Sequence, residues 1–281
     1  MGVPHKIDVK VVAEIGCNHG GDFAVAKEMI EAAAKCGAHV VKFQKRNPKE
    51  CLSFERYREP YTSEHSFGKT YGEHREKLEL SLDHHAALQT HAKACGVEYA
   101  SSVWDITSYH EIAELEPPYI KVPSAHNEDQ KLIAHIAAHW TRPVHISNGM
   151  CSREAEARFE NTLGFRCVPY ACTSKYPARM EDVCLLDIPR LLGTSAEVGF
   201  SGHHQGIALD VAAVALGATW VERHFTLDRT WKGTDQAASL EPAGLAKLCR
   251  DIKAVASAWK VRPGVLHCEE ETMAKLKRAR A

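Results

Sequence analysis

Hydrophobic positions along this chain fall into two alternating patterns. Short runs rich in Val, Ile, Phe and Tyr recur at residues 9–16, 39–44, 97–103, 119–124, 143–148, 165–173, 197–202 and 219–226, and read as strands. Longer stretches at 22–36, 129–140, 181–192, 207–216 and 243–256 read as helices. In the first of these, Phe23, Ala26, Ile30, Ala33 and Ala34 return near a 3.6-residue period and mark one apolar face. Strand–helix units in this order imply parallel pairing through crossover helices. Eight such units in one chain favour closure, so the expected fold class is α/β, a (β/α)8 TIM barrel, with an open doubly wound sheet as the competitor.

One segment breaks the rhythm. Residues 45–82 are long and polar, with many Arg, Glu, Tyr and Pro. That is too long for an ordinary connection and predicts a functional loop over the barrel mouth. No linker or low-complexity segment stands out, and residues 1–281 read as a single domain.

Composition narrows the function. The 281 residues suit one barrel, and 44% hydrophobic against 25% charged residues allow a large core. Thirty-five Lys and Arg against 36 Asp and Glu leave a formal charge of -1, which argues against a nucleic-acid or membrane-surface protein. The first ten residues are polar, without the apolar core of a signal peptide, and no stretch has the length of a membrane helix. The ten cysteines form no CxxC pair, so reduced thiols and a cytoplasmic location are expected.

In a barrel, active-site groups gather at the C-terminal ends of the strands. Those positions here carry Glu14, Asn18 and His19; Lys42 and Gln44; Ser101 and Ser102; Lys121 and Ser124. They continue with Ser147 and Asn148; Thr173, Ser174 and Tyr176; Ser201 and His203; Glu222 and His224. Two lysines and several hydroxyls at one mouth are costly to bury unless they meet an anion, and a phosphate or carboxylate would satisfy them. His203 and His224, ending adjacent strands, could share a divalent metal through neutral imidazoles, although seventeen histidines make chance pairs common. Of the pair His203-His204 only one ring can face inward, and the His-rich stretches 65–74 and 83–91 read as solvated.

The run AEIGCNHGGDFAVAKEMIEAAAKCGAHVVKFQ at 13–44 resembles the opening of the sialic acid synthase family. The run GFSGHHQGIALDVAAVALGATWVERHFTLDRTWKGTDQAASLEP at 199–242 is similar to that family's later signature. Between them IKVPSA, ISNGM and ACTSKYP fall where the family places substrate-binding strand ends. The resemblance implies a barrel that condenses phosphoenolpyruvate with a sugar aldehyde, an N-acylated mannosamine or its 6-phosphate. The product is then a nine-carbon 3-deoxy-2-keto acid, and phosphate leaves by C–O cleavage. It further implies that Lys42, Ser102, Lys121, Ser124, Ser147 and Ser201 cradle phosphoenolpyruvate, with Gln44, Ser174 and Tyr176 contacting substrates. On the same basis His203 and His224 ligate Mn²⁺ (or Mg²⁺ or Co²⁺), while Glu14 and Asp235 position and deprotonate the attacking water, with Lys42 beside them.

Departures from the family pattern concern the acceptor. The sequence ends at Ala281 in a basic, helix-like run. The family's C-terminal antifreeze-like domain, which reaches into a partner's site with an arginine, is therefore expected to be absent or supplied by a separate protein. Position 126, often acidic in the family, is His126, and the GPDH-type string reads Thr234-Asp235-Gln236. A homodimer is expected from the general prevalence of symmetric pairs. Two alternatives are a related synthase using another aldehyde in natural-product or surface-glycan assembly, and a non-catalytic partner subunit.

Overall fold

The computed structural model describes residues 7–277. Its eight strands are β1 (Lys10–Gly16), β2 (Val40–Lys45), β3 (Glu98–Val103), β4 (Ile120–Val122), β5 (Val144–Ser147), β6 (Cys167–Cys172), β7 (Gly199–Gly202) and β8 (Trp220–His224). All pair in parallel with their sequence neighbours, and β8 returns to β1 through Lys10↔Trp220 to Glu14↔His224. The barrel is closed, which excludes the open sheet. Each strand falls within or one residue beyond a run read from the sequence.

The helices are α1 (Phe23–Lys35), α2 (Pro48–Cys51), α3 (Phe54–Arg58), α4 (Tyr71–Lys77), α5 (Leu82–Ala94) and α6 (Ile106–Glu114). They continue with α7 (Gln130–His139), α8 (Arg153–Leu163), α9 (Asp187–Leu191), α10 (Ala208–Ala215), α11 (Pro242–Ala258) and α12 (Glu270–Leu276). Residues 278–281 of the basic C-terminal run lie outside the described residues, as do residues 1–6.

Two expectations need correction. The segment 45–82 is not one open loop, because it folds into α2, α3 and α4. Local capping explains this: Asn47, Ser53 and Thr70 each accept a hydrogen bond from a first-turn amide, and Glu73 completes a capping box with Thr70. The helix expected over 181–192 shrinks to a 3-10 turn at Met180–Asp182 and α9. Pro189 lacks an amide hydrogen and sits in the first turn of α9, where a helix tolerates it, so no helix can run through it from 181.

The histidines of 65–74 and 83–91 are also not uniformly solvated. His74 is buried against Tyr61 and Phe67, and buried His85 meets the Tyr99 hydroxyl at 2.6 Å. His74 belongs to α4 and His85 to α5, each on a buried face, where an imidazole with one satisfied nitrogen packs as a flat, largely apolar plate.

Strand alternation sets the layers. Outward positions such as Val11, Ala13, Ile15, Val41 and Phe43 pack against Met29, Ile30, Leu88, Leu245 and Leu248 of the surrounding helices. Inward positions one pleat away, Val12, Val40, Ala100, Tyr119, Val168, Tyr170 and Trp220, form an apolar plug inside the barrel. The next inward layer toward the C-terminal mouth is charged.

Outside the barrel, Arg223 of β8 is fully buried beneath α10. It donates to Asp210 at 2.6 Å and to the carbonyls of His204 and Gly206, both at 2.7 Å. The outward His204 lies 3.4 Å from the same carboxylate. Removing one partner strands the other charge in the interior. Asp210→Ala is therefore expected to cost about 3–5 kcal/mol of stability; urea unfolding followed by circular dichroism measures it, and a loss under about 1 kcal/mol would show the pair to be dispensable.

Candidate active site

Above the apolar plug, β1, β2, β4 and β8 each direct one charged side chain inward: Glu14, Lys42, Lys121 and Glu222. All four are at least nine-tenths buried. Lys42 Nζ lies 2.5 Å from Glu14 Oε2 and 3.7 Å from Glu222 Oε2, and Lys121 Nζ lies 2.7 Å from Glu222 Oε1. Lys42 also donates to Ser102 Oγ at 2.8 Å, Gln44 Nε2 to Glu14 Oε1 at 2.9 Å, and Ser201 Oγ to Glu222 Oε1 at 3.3 Å. The Lys121 ammonium stands 4.2 Å from the ring centre of Tyr170 in the plug below.

Burial opposes the charged form of every member, and the pairing decides the outcome. For Lys42, Glu14 and then Glu222 outweigh burial and hold the ammonium above the usual lysine value. For Lys121 burial prevails, helped by the neighbouring Lys42, and the ammonium falls below that value despite Glu222. Burial would raise Glu222, but Lys121 and Lys42 together hold its carboxyl well below the usual range. The lysine argument from sequence therefore changes. Their counter-anions are Glu14 and Glu222, and the four charges sum to zero before any ligand arrives.

Over this layer opens a cavity of about 620 Å³ at the C-terminal mouth. Every site residue singled out from the sequence reaches it: Glu14, Lys42, Gln44, Ser102, Lys121, Ser124, Ser147, Ser174, Tyr176, Ser201, His203, His224 and Asp235. Ser174 Oγ donates to Ser124 Oγ at 2.8 Å, tying the ends of β4 and β6. Other strand-end groups turn away. Asn18 Nδ2 donates to Phe225 O and Ser239 Oγ, Asn148 Nδ2 to Glu156, and Ser101 Oγ to the Ser102 carbonyl. His126 packs its ring on Trp104 at 5.3 Å, beside the cavity but not lining it.

His203 and His224 face each other with ring centroids 5.5 Å apart, and the Tyr176 ring lies 4.2 Å from the first. His203 Nδ1 donates to the Thr173 carbonyl at 2.8 Å; a carbonyl only accepts, so Nε2 keeps its lone pair. Burial, with His224 adding, lowers the His203 pKa to about 3, so the ring is neutral. His224 Nδ1 is buried without a hydrogen bond, 4.0 Å from Asp235 Oδ2. Burial would raise Asp235, yet His224 and the Thr234 hydroxyl, 2.9 Å away, hold its carboxyl below the usual value.

A neutral imidazole with its far nitrogen fixed by a carbonyl is how metal-binding histidines are held, so these residues fit a divalent ion. Among the described residues no cluster of three or more His, Cys, Asp or Glu forms a complete cage. The pair leaves open positions for substrate oxygens and water.

Two parts of the site were not read from the sequence. Glu222 was named among the strand-end groups, but not as the carboxylate that links the two lysines. The second part is the basic, aromatic wall from the insertion: Arg46, Arg56, Tyr61, Tyr71 and Arg75. Arg46 binds Glu79 at 2.6 Å and stacks on Trp104, but its Nη1 is buried without a partner. Arg75 is held by the Tyr71 hydroxyl (Nε at 3.0 Å, Nη2 at 2.5 Å), and among the described residues it meets no carboxylate. Their abundance in 45–82 was readable, but the direction in which they point was not.

The chain has clear relatives. The NeuB family model matches residues 29–262. The chain is 42% identical over 253 residues to N-acetylneuraminate-9-phosphate synthase of Homo sapiens, covering 88% of this chain and 70% of that protein. It is 35% identical over 259 residues to N,N'-diacetyllegionaminic acid synthase of Campylobacter jejuni, covering 88% of this chain and 76% of that one. A crystal structure of N-acetylneuraminic acid (sialic acid) synthetase from Leptospira borgpetersenii, in complex with citrate, has a TM-score of 0.82 at 25% identity, over 95% of this chain and 91% of that one. The family match over most of the chain and the named relatives point the same way: the chain belongs to the NeuB family and is an enzyme of the N-acylneuraminate synthase type.

Proposed function

We propose that this enzyme condenses phosphoenolpyruvate with an N-acylmannosamine-like aldose to give a 3-deoxy-2-keto sugar acid of the sialic acid type, releasing phosphate. One observation carries the reading: two buried ammonium groups and a ring of serine hydroxyls lie beneath a pair of facing histidines at a single barrel mouth. Lys42 and Lys121, with Ser102, Ser124, Ser147 and Ser201, hold the phosphate and carboxylate of phosphoenolpyruvate through charge-assisted hydrogen bonds. The aldehyde sits above, against Gln44, Ser174 and Tyr176. A divalent cation on His203 and His224, Mn²⁺ before Mg²⁺ or Co²⁺, polarises the aldehyde oxygen when bound.

C3 of the enol attacks the aldehyde carbon, forming the C–C bond, leaving positive charge on C2 and negative charge on the former aldehyde oxygen. Glu14 or Asp235 takes a proton from water as its oxygen adds to C2, and an equivalent proton reaches the former aldehyde oxygen, which becomes a hydroxyl. The bond between C2 and the phosphate oxygen then breaks, the new C2 hydroxyl gives up its proton to the departing phosphate, and the ketone remains. Because the four buried charges already sum to zero, the incoming anion draws its balancing charge from the metal and from the cationic rim of Arg75 and Lys175.

The same rim bears on the acceptor. Among the described residues Arg75 meets no carboxylate and Arg46 keeps a buried nitrogen without a hydrogen-bond partner, a combination that suits a second phosphate. The human relative's name speaks of a 9-phosphate product. We therefore read the acceptor as an N-acylmannosamine 6-phosphate.

Three outcomes are expected. Metal-stripped protein given phosphoenolpyruvate, Mn²⁺ and a panel of aldoses, free and phosphorylated, releases inorganic phosphate only with metal and an N-acylmannosamine. Release with arabinose 5-phosphate or erythrose 4-phosphate alone would overturn the acceptor class. His203→Ala abolishes Mn²⁺ binding in a calorimetric titration and lowers turnover at least about 100-fold, since polarising the carbonyl is worth several kcal/mol. Its circular dichroism stays unchanged, and full activity after chelation would refute the metal. Arg75→Ala raises KM for the 6-phosphate about 10- to 100-fold, the loss of one charged hydrogen bond worth about 1.5–3 kcal/mol. KM for phosphoenolpyruvate should hold, and an equal rise in both would show that Arg75 does not face the acceptor.

A further inference from the structure

Three histidines outside the mouth stand together on the outer ring of helices. His110 projects from α6, and His135 and His139 from α7, one turn apart on a shared face. The Nε2 atoms of His110 and His135 are 3.2 Å apart, with ring centroids separated by 4.9 Å. The His139 ring centroid lies 4.3 Å from that of His135. Tyr109 braces the first two rings, its centroid 5.2 Å from each. His110 and His139 are exposed, so the group is open to solvent.

Two neutral imidazole nitrogens at this distance share either one proton or one metal ion. Zinc binds histidine nitrogen at about 2.0–2.1 Å in tetrahedral geometry, which sets two ligand nitrogens about 3.3 Å apart. The observed spacing meets that requirement with almost no movement of either ring. His139 is prepared in another way. Its Nδ1 donates to the His135 carbonyl at 2.8 Å, which fixes the proton there and leaves Nε2 with a lone pair. As they stand, these rings do not close a three-ligand cage among the described residues, so water or a turned His139 fills the remaining positions.

We propose that His110 and His135, assisted by His139, form a surface site for a borderline transition-metal cation such as Zn²⁺, Ni²⁺ or Cu²⁺. The ion takes the place of the proton between the two Nε2 atoms; that proton moves to Nδ1 of the same ring by tautomer exchange, so both rings bind as neutral imidazoles. Imidazole-only ligation selects these ions over Mg²⁺ and Mn²⁺, which favour oxygen donors. The site is distinguished from the mouth by its place on the outer helices, and it does not depend on the proposed synthase reaction.

The test is calorimetric titration of ZnCl₂ and NiCl₂ into tag-free protein as wild type, as His203→Ala, and as the double variant His110→Gln with His135→Gln. A Zn²⁺ event present in wild type and in His203→Ala, and weakened at least about tenfold in the double variant, supports the site. Mn²⁺-supported turnover of the double variant should stay within about twofold of wild type, since neither side chain reaches the mouth. Zn²⁺ binding of equal affinity and stoichiometry in wild type and double variant would overturn it. So would a Zn²⁺ event that disappears with His203→Ala alone, because the ion would then belong to the mouth.

Discussion

The site rests on the electroneutrality of four charges at the centre of a barrel. Tyr119, Tyr170 and Trp220 keep water away from below, and the strands do so on every side, leaving only the cavity above. A lone buried ammonium or carboxylate would be costly at such a depth. Two of each, alternating as Glu14, Lys42, Glu222 and Lys121, offset one another. Their order around the layer is a matter of register: Glu14 lies opposite Lys42 on the neighbouring strand, and Glu222 opposite Ser201. A one-residue slip of β8 would send Glu222 outward among the helices and leave both lysines underpaired. Closure of the barrel, strand register and the ionisation of the site are thus one constraint.

Much of this was legible in the chain itself, because a strand buried in a barrel advertises itself twice. Its apolar run fixes its place, and a single charge inside that run, as in Val-Val-Lys42-Phe-Gln44 or Tyr-Ile-Lys121-Val, marks the end that faces function. The strands, the barrel class and the residues around the mouth followed from that. Partnership did not. Lys42 and Lys121 suggested an absent anion because pairing across the barrel depends on which strands stand opposite one another, and Glu222 is far from both in sequence. The short helices of the insertion were signalled by Asn47, Ser53 and the Thr70–Glu73 box, but three capped turns without a long apolar stripe look like a loop to any periodicity argument. Pro189 was the opposite case, a plain local signal against a long helix.

The insertion also shows how a common scaffold acquires an individual mouth. The barrel supplies the neutral charge layer and the two histidines from rigid strand ends, where positions are set by hydrogen-bonded register. The wall of Arg46, Arg56, Tyr61, Tyr71 and Arg75 comes from one connection between β2 and β3. Its arginines are braced by Tyr71 and Glu79, so their charge is presented in a set direction.

The apolar plug has a consequence for traffic. Because Tyr119, Tyr170 and Trp220 fill the barrel beneath the lysines, the cavity is a well that opens at the C-terminal mouth. On the proposed reading, a molecule seated on Lys42 and Lys121 would be roofed by one resting between Tyr176 and the insertion. Two ligands so stacked would obey last in, first out: the lower would arrive before the upper and could not depart until the upper had gone.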